Sequence, residues 1–245
     1  VQRVYLFDVD GTLTYSRQQI DEDFASIFLD WVQYVDGPVY LVTGSDLKKI
    51  KQQVFEEFLD DCDGIFTCSA NELWKGGSLV YRKKFRAPSG LLDDLALYLE
   101  TGARYHVRTG KHIERRPGMI NFSVLGRNAN LLQREAYTKW DKNARERVDV
   151  VDYITKLYPT LDVSIGGAIS VDIYRRGRDK SQVVEYLQQT YGDPLSMVFV
   201  GDRNVPGGND WPLAQVLEKD PHSHWFQVNC YEETRALIEY SELFI

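Results

Sequence analysis

Cysteine is scarce in this 245-residue chain. Cys62, Cys68 and Cys230 are its only three, they form no CxxC pair, and their odd number supports neither a disulfide framework nor a cysteine zinc site. A reducing, cytoplasmic setting is expected. The sequence also lacks any apolar run approaching the ~18 residues that span a bilayer, and its N-terminus has neither the basic region nor the small-residue cleavage site of a signal peptide. No membrane partner is expected. Basic residues are in the minority, 29 Lys and Arg against 36 Asp and Glu, for a formal net charge of -7 that disfavours nucleic acid as a main partner. The serine-nucleophile pattern GxSxG and the dinucleotide fingerprint GxGxxG are both missing. What is present, 43% hydrophobic and 27% charged residues, is the composition of a globular protein long enough to bury one large core or two smaller ones.

Short apolar runs at Val4 to Val9, Val39 to Val42, Ile65 to Phe66 and Met197 to Val200 read as buried strands. Between the first two, Ile20, Phe24, Ile27, Phe28 and Trp31 follow helical spacing. Ser45 is expected to cap a second amphipathic helix running toward Phe58. With Phe55 and Phe58, these aromatic residues are expected in a core rather than on a base-stacking platform. Strands alternating with helices predict an α/β fold with a parallel sheet covered by helices. Trp74 to Tyr81, with Gly76 and Gly77 at its middle, reads as a hairpin leading out of this unit. From about Arg82 to Arg178 the pattern changes to that of an inserted α+β module, with alternation over Asn121 to Leu125 and a long polar helical stretch from Asn130 to Leu157. A helix over Lys180 to Tyr191, the strand at Met197 and a final helix, strand and helix restore the first rhythm. The expected division is a discontinuous core, residues 1–81 and 179–245, around an insert, residues 82–178. His222 and His224 are read as loop residues.

The strongest local signal is Phe7-Asp8-Val9-Asp10-Gly11-Thr12-Leu13-Thr14, an apolar strand running into two carboxylates two residues apart. In a strand their side chains share a face, and the C-terminal end of a strand in an open α/β sheet is where ligands bind. Such a pair can hold Mg²⁺, with one carboxylate attacking phosphorus and the other moving a proton. Thr43, Gly44 and Ser45 follow another strand and offer hydroxyls and a helix N-terminus to a phosphoryl oxygen. Lys180 supplies a cation. Phe199-Val200-Gly201-Asp202, followed by Pro206-Gly207-Gly208-Asn209-Asp210, adds two carboxylates around a glycine-rich loop. Asp202 is the expected third metal ligand, and Asp210 is read as a ligand, a water-orienting group or the cap of a helix starting near Trp211. Singly, these segments have ordinary structural readings, a turn, a helix cap or a surface lysine; together, in this order, they do not.

DxDGT, TGS, Lys and GDxxxxGGND in this order resemble the four motifs of the haloacid dehalogenase superfamily of phosphotransferases. The insert carries Arg116-Pro-Gly-Met-Ile-Asn-Phe-Ser-Val-Leu-Gly-Arg127, then Arg134, then Gly166-Gly167-Ala-Ile-Ser170-Val-Asp172, and is similar to the cap of eukaryotic-type phosphomannomutases. That resemblance implies a Rossmann-like core with an α+β cap, interconversion of mannose 6-phosphate and mannose 1-phosphate, Mg²⁺, a hexose 1,6-bisphosphate activator and a homodimer formed through the cap. It implies Asp8 as the phosphorylated nucleophile and Asp10 as the general acid/base, with Asp8, the Asp10 backbone carbonyl and Asp202 on the metal. Thr43, Gly44 or Ser45 and Lys180 would hold the transferred phosphoryl group, and Arg17, Arg116, Arg127, Arg134, Ser170 and Asp172 the sugar and its distant phosphate. Pro117, where the family often has Asn, removes an amide donor beside Arg116.

Charge distribution favours a mutase over the alternative, a capped sugar-phosphate phosphatase. From Arg104 to Arg134 seven basic residues face one acid, Glu114, so this stretch is +6 and the rest of the chain -13. A phosphatase for a monophosphate needs one phosphate site, whereas a mutase needs two, the second suited to guanidinium groups.

Overall fold

β1 (Gln2–Phe7) carries apolar side chains on both faces because it lies inside a parallel sheet, where neither face meets water. The computed structural model describes residues 1–240. Along the chain β1 is followed by α1 (Glu22–Tyr34), β2 (Val39–Val42), α2 (Leu47–Gln53), α3 (Glu57–Asp61), β3 (Gly64–Thr67), β4 (Glu72–Lys75) and β5 (Ser78–Arg82). Next come α4 (Leu91–Thr101), β6 (Ile113–Arg116), β7 (Met119–Phe122), α5 (Leu131–Ala144), α6 (Glu146–Leu157), β8 (Leu161–Gly166) and β9 (Ser170–Arg175). The last elements are α7 (Gln182–Tyr191), β10 (Leu195–Gly201), α8 (Trp211–Leu217), β11 (His224–Gln227) and α9 (Tyr231–Glu239). Among the described residues two compact units result, residues 1–82 with 178–240, and residues 83–177.

In the discontinuous unit, a seven-stranded sheet has the order β11-β10-β1-β2-β3-β4-β5, parallel through β3 and antiparallel over its last two pairings. Strand alternation sorts the side chains into two cores. Tyr5, Phe7, Leu41, Val198 and Val200 pack with Phe24, Phe28 and Trp31 of α1. From the other face Val4, Leu6, Tyr40, Met197 and Phe199 pack with Val183 and Leu187 of α7 and with Leu213 and Leu217 of α8. This is the expected α/β architecture. The hairpin of β4 and β5 does not lead away but extends the sheet at its edge.

In the inserted unit, an antiparallel sheet of order β6-β7-β9-β8 has one apolar and one polar face. Ile120, Phe122, Val171 and Ile173 point toward Leu95 and Tyr98 of α4, Tyr137 of α5 and Val150 and Ile154 of α6. The intervening positions Glu114, Arg116, Asn121, Ser170 and Asp172 share the opposite face, since Glu114 pairs with Asn121 and Asn121 with Asp172. The alternation expected to Leu125 stops at Phe122, after which Ser123 Oγ is bound by Gly126 N–H in a turn.

Helix boundaries depart from the sequence reading where side chains compete for backbone groups. Asp46, not Ser45, caps α2, its carboxylate accepting the Lys49 N–H at 2.9 Å, and the stretch toward Phe58 breaks into α2 and α3 at the extended residue Val54. The single helix expected from Asn130 to Leu157 is two, interrupted at Arg145 with φ 56°. Lys180 precedes α7 rather than opening it, and His224 begins β11 rather than lying in a loop.

Phe28 sits at the centre of the first core, edge-on to Phe7 at 5.1 Å and stacked on Phe58 at 5.3 Å. Phe28→Ala is expected to destabilise the discontinuous unit by about 3–5 kcal/mol in urea unfolding. A loss under about 1 kcal/mol would contradict this packing.

Candidate active site

β1 pairs with β10 on one side and β2 on the other, and its two neighbours reach their C-terminal ends level with it, Phe7 pairing with Val200 and with Leu41. The residues that leave these strands, Asp8, Asp202 and Thr43, therefore emerge at the switch point of the sheet, where open α/β folds bind ligands. β1 itself ends at Phe7. The chain then winds around the Val9 carbonyl, which accepts the N–H groups of Thr12, Leu13 and Thr14. The two carboxylates of the motif consequently do not share a strand face as expected, and each enters its own network.

Asp8 joins a buried set. Lys180 Nζ lies 2.5 Å from Asp8 Oδ1 and 2.5 Å from Asp210 Oδ1, and its side chain is 0% exposed. Burial opposes the charge on Lys180, but Asp210 and Asp8 outweigh it and raise the ammonium above its ordinary pKa. Asp210 does not cap α8 with its side chain; its second oxygen accepts the Arg203 N–H at 2.9 Å. Asp8, Asp202 and Asp210 place carboxylate oxygens within 4.8 Å of one another. Burial pushes the Asp8 carboxyl up to about 7, Lys180 opposing and Asp210 adding to the rise. Burial, then Asp8 and Asp210, likewise raises Asp202 well above the usual range.

Three crowded carboxylates against one ammonium leave an excess of negative charge. An all-oxygen donor set of this kind suits a hard divalent cation such as Mg²⁺. The Asp10 carboxylate is outside this cluster, so of the two motif carboxylates only that of Asp8 joins it; the ligand expected from Asp10 is its backbone carbonyl.

Asp10 accepts from Arg17 N at 3.2 Å, Gln53 Nε2 at 3.0 Å and Ser45 Oγ at 3.0 Å, and is ion-paired with Lys49. Burial would raise its pKa, but the Lys49 charge and these hydrogen bonds hold it well below the usual carboxylate range. Ser45 is thus engaged with Asp10 rather than with a helix end. Thr43 is buried, its Oγ1 accepting the Ser45 N–H at 3.1 Å, and Gly44 lies between them. Arg17 is exposed, in a left-handed conformation with φ 64°.

In the inserted unit Glu114 Oε2 accepts from Arg116 Nη2 at 2.7 Å and lies 3.1 Å from Arg127 Nε, so one carboxylate aligns two guanidinium groups. Arg127 Nη1 reaches Ser170 Oγ at 3.3 Å, and Asn121 Nδ2 donates to Asp172 Oδ1 at 2.7 Å. Arg134 clamps the preceding segment, donating to the carbonyls of Ala129 at 2.8 Å and Arg127 at 3.0 Å. Pro117 leaves the β6–β7 hairpin intact. Proline followed by Gly118 at φ 72° suits the two central positions of a tight turn, and Arg116 still pairs with Met119.

The structure thus groups Asp8, Lys180, Asp202 and Asp210; Asp10 with Ser45 and the Arg17 backbone; and Arg116 and Arg127 with Ser170. Sequence reading missed Lys49, Gln53, Glu114 and Asn121. Glu114 had a signal, as the one acid in a basic segment and two residues before Arg116 in an alternating strand. Lys49 had little, since Lys48 and Lys51 are its neighbours and only helix phase separates them.

Comparison with known proteins adds a family. The sequence model of the eukaryotic phosphomannomutase family matches residues 31–244, beginning after the Asp8–Asp10 segment. A phosphomannomutase of Spinacia oleracea is 33% identical over 217 residues, covering 86% of this chain and 85% of the relative. One of Dendrobium officinale is 32% identical over 219 residues, covering 86% of this chain and 84% of the relative. Among solved structures, a haloacid dehalogenase-like hydrolase from Bacteroides thetaiotaomicron shares the fold with TM-score 0.59 at 13% identity, over 98% of this chain and 100% of that one.

Gly11 ties the loop geometry to the carboxylate cluster. Its φ is +92°, and a Cβ there would lie 2.5 Å from Asp202 Oδ2. Gly11→Ala is expected to weaken Mg²⁺ binding at least about tenfold by titration calorimetry, as is Asp202→Asn. Unchanged affinity in both variants would remove Asp202 from the metal site.

Proposed function

The chain belongs to the eukaryotic phosphomannomutase family, and from that premise we propose that it interconverts mannose 6-phosphate and mannose 1-phosphate through phosphorylated Asp8. The observation that carries the reading is the carboxylate cluster at the sheet's switch point, with Lys180 bound to Asp8 and Asp210. Asp8, Asp202 and Asp210 would hold Mg²⁺, which when bound screens the negative charge of nucleophile and phosphate.

In the first half-reaction an Asp8 carboxylate oxygen attacks phosphorus of a hexose 1,6-bisphosphate, and the bond from phosphorus to the sugar oxygen breaks. Asp10 gives that oxygen its proton. In the second, the free hydroxyl of a hexose monophosphate attacks the phosphorus on Asp8, the bond from phosphorus to the Asp8 oxygen breaks and Asp10 takes the hydroxyl proton, giving a bisphosphate that turns end for end before its other phosphate passes to Asp8. Lys180 offsets the charge of Asp8 throughout, and Thr43, Gly44 and Ser45 line the strand end next to it. The inserted unit carries groups of its own that suit a phosphate. Arg116 and Arg127, aligned by Glu114, offer guanidinium forks to an anion, while Arg134 fixes the segment that carries Arg127. Ser170 and Asp172, on the same sheet face, offer hydrogen-bonding groups to sugar hydroxyls.

The family reading also carries a cytoplasmic location and a homodimer formed through the inserted unit. Among the described residues no helix is long and apolar enough to cross a membrane.

Phosphorus NMR of the purified protein with mannose 1-phosphate, Mg²⁺ and a catalytic amount of hexose 1,6-bisphosphate tests the assignment. Mannose 6-phosphate should appear, and Asp8→Asn should slow its formation by at least about a thousandfold. Inorganic phosphate as the sole product would favour the phosphatase alternative, and undiminished isomerisation by Asp8→Asn would remove Asp8 as nucleophile.

A further inference from the structure

The Asp10 carboxylate is saturated. Arg17 N and Gln53 Nε2 donate to Oδ1, Ser45 Oγ and Lys49 Nζ to Oδ2, so two donors occupy each oxygen. A sugar hydroxyl can give its proton to this carboxylate only by replacing one of them. Three are fixed. Arg17 donates from the backbone, Gln53 is 1% exposed and also donates to Thr14 Oγ1 at 3.0 Å, and Ser45 is 4% exposed on the turn into α2. Lys49 differs. Its side chain is 19% exposed, and its ammonium ends a flexible four-carbon stem.

We infer that Lys49 is a positioning residue that occupies the reactive edge of Asp10 until a sugar hydroxyl displaces it, and so decides whether phosphate on Asp8 passes to sugar or to water. This rests on the mutase reading above. The competing step is hydrolysis. A water oxygen bonds to phosphorus, the bond to the Asp8 oxygen breaks with its electron pair returning to the carboxylate, Asp10 takes the water proton and inorganic phosphate leaves. Water is small and abundant, so an Asp10 oxygen left open serves it at all times. An oxygen held by Lys49 is open only to an acceptor bound well enough to displace the ammonium. Ser45 directs the ammonium to one edge of the carboxylate, since Lys49 Nζ also donates to its hydroxyl at 3.0 Å, beside the oxygen that Ser45 itself contacts.

The test compares Lys49→Met, Lys49→Arg and the unmodified protein in two measurements. The first is the ratio of inorganic phosphate to isomer during turnover of mannose 1-phosphate with the bisphosphate. The second is the decay in water of enzyme phosphorylated on Asp8, with no acceptor present. Lys49→Met should raise the ratio and hasten the decay about tenfold each, whereas Lys49→Arg, which keeps a cation within reach, should return both to within about twofold of the unmodified protein. Damage to the fold alone would lower isomer and phosphate together and leave the ratio unmoved. An unchanged ratio and decay in Lys49→Met, or an arginine variant as leaky as the methionine one, overturns the inference. Should Lys49→Met not fold, Lys49→Gln replaces it with the same expected direction. Failure of the unmodified protein to make isomer would instead overturn the mutase reading, while the decay measurement would still report on Lys49.

Discussion

A lysine ammonium with no exposure to solvent, held between two carboxylates, is the contact on which the arrangement of the active-site unit depends. Burying such a charge costs several kcal/mol unless its partners are close and fixed, and here the lysine and its two partners come from three separate stretches of chain. Asp8 follows β1, Asp210 precedes α8, and Lys180 comes just after the inserted unit returns the chain to the core. Parallel pairing of β1 with β10 sets the ends of those strands side by side, so the ion pairs form only if the discontinuous halves have joined in register. A dry lysine between aspartates thus links folding of the sheet to assembly of the site. The same cation does not neutralise all three acids of the cluster, and the remaining negative charge is of the kind that suits a hard divalent cation.

One motif places two aspartates in opposite environments. Asp8 is buried among other acids and its carboxyl is driven upward; Asp10 is surrounded by donors and held down. Separation of this kind is how one fold assigns different roles to like residues. The donors around Asp10 favour its ionised form, which suits the half-reaction in which a sugar hydroxyl attacks, and the proton taken there would be the one returned to the sugar oxygen when a bisphosphate phosphorylates Asp8. The loop around the Val9 carbonyl makes the separation possible, because a continued strand would have turned both side chains to one face.

Most of the fold was legible because its signals are periodic. The runs at Val39 and Met197 could only be interior parallel strands, and Phe24, Phe28 and Trp31 could only be one face of a helix. Features fixed by a single side-chain contact were not legible. Asp46 rather than Ser45 caps α2 because the Ser45 hydroxyl is engaged with Asp10, a residue 35 positions away in the chain. The break at Arg145 leaves no mark on a polar helical pattern, although the buried Asp141–Arg147 ion pair across it gives a reason for it. In the site, the residues that stood out in the sequence were those with a motif around them, and those that touch a motif residue, Lys49, Gln53 and Glu114, did not. A charged residue on a helix surface reads as solvated until its partner is known.

The central claim is that phosphate travels by way of Asp8. Rapid-quench measurement with hexose 1,6-bisphosphate carrying radiolabelled phosphate, followed by peptide mapping, addresses it most directly. The account predicts that label reaches Asp8 at least as fast as isomer forms, and that adding unlabelled hexose monophosphate chases it into bisphosphate. Label accumulating on another residue, or reaching Asp8 more slowly than the enzyme turns over, would contradict it.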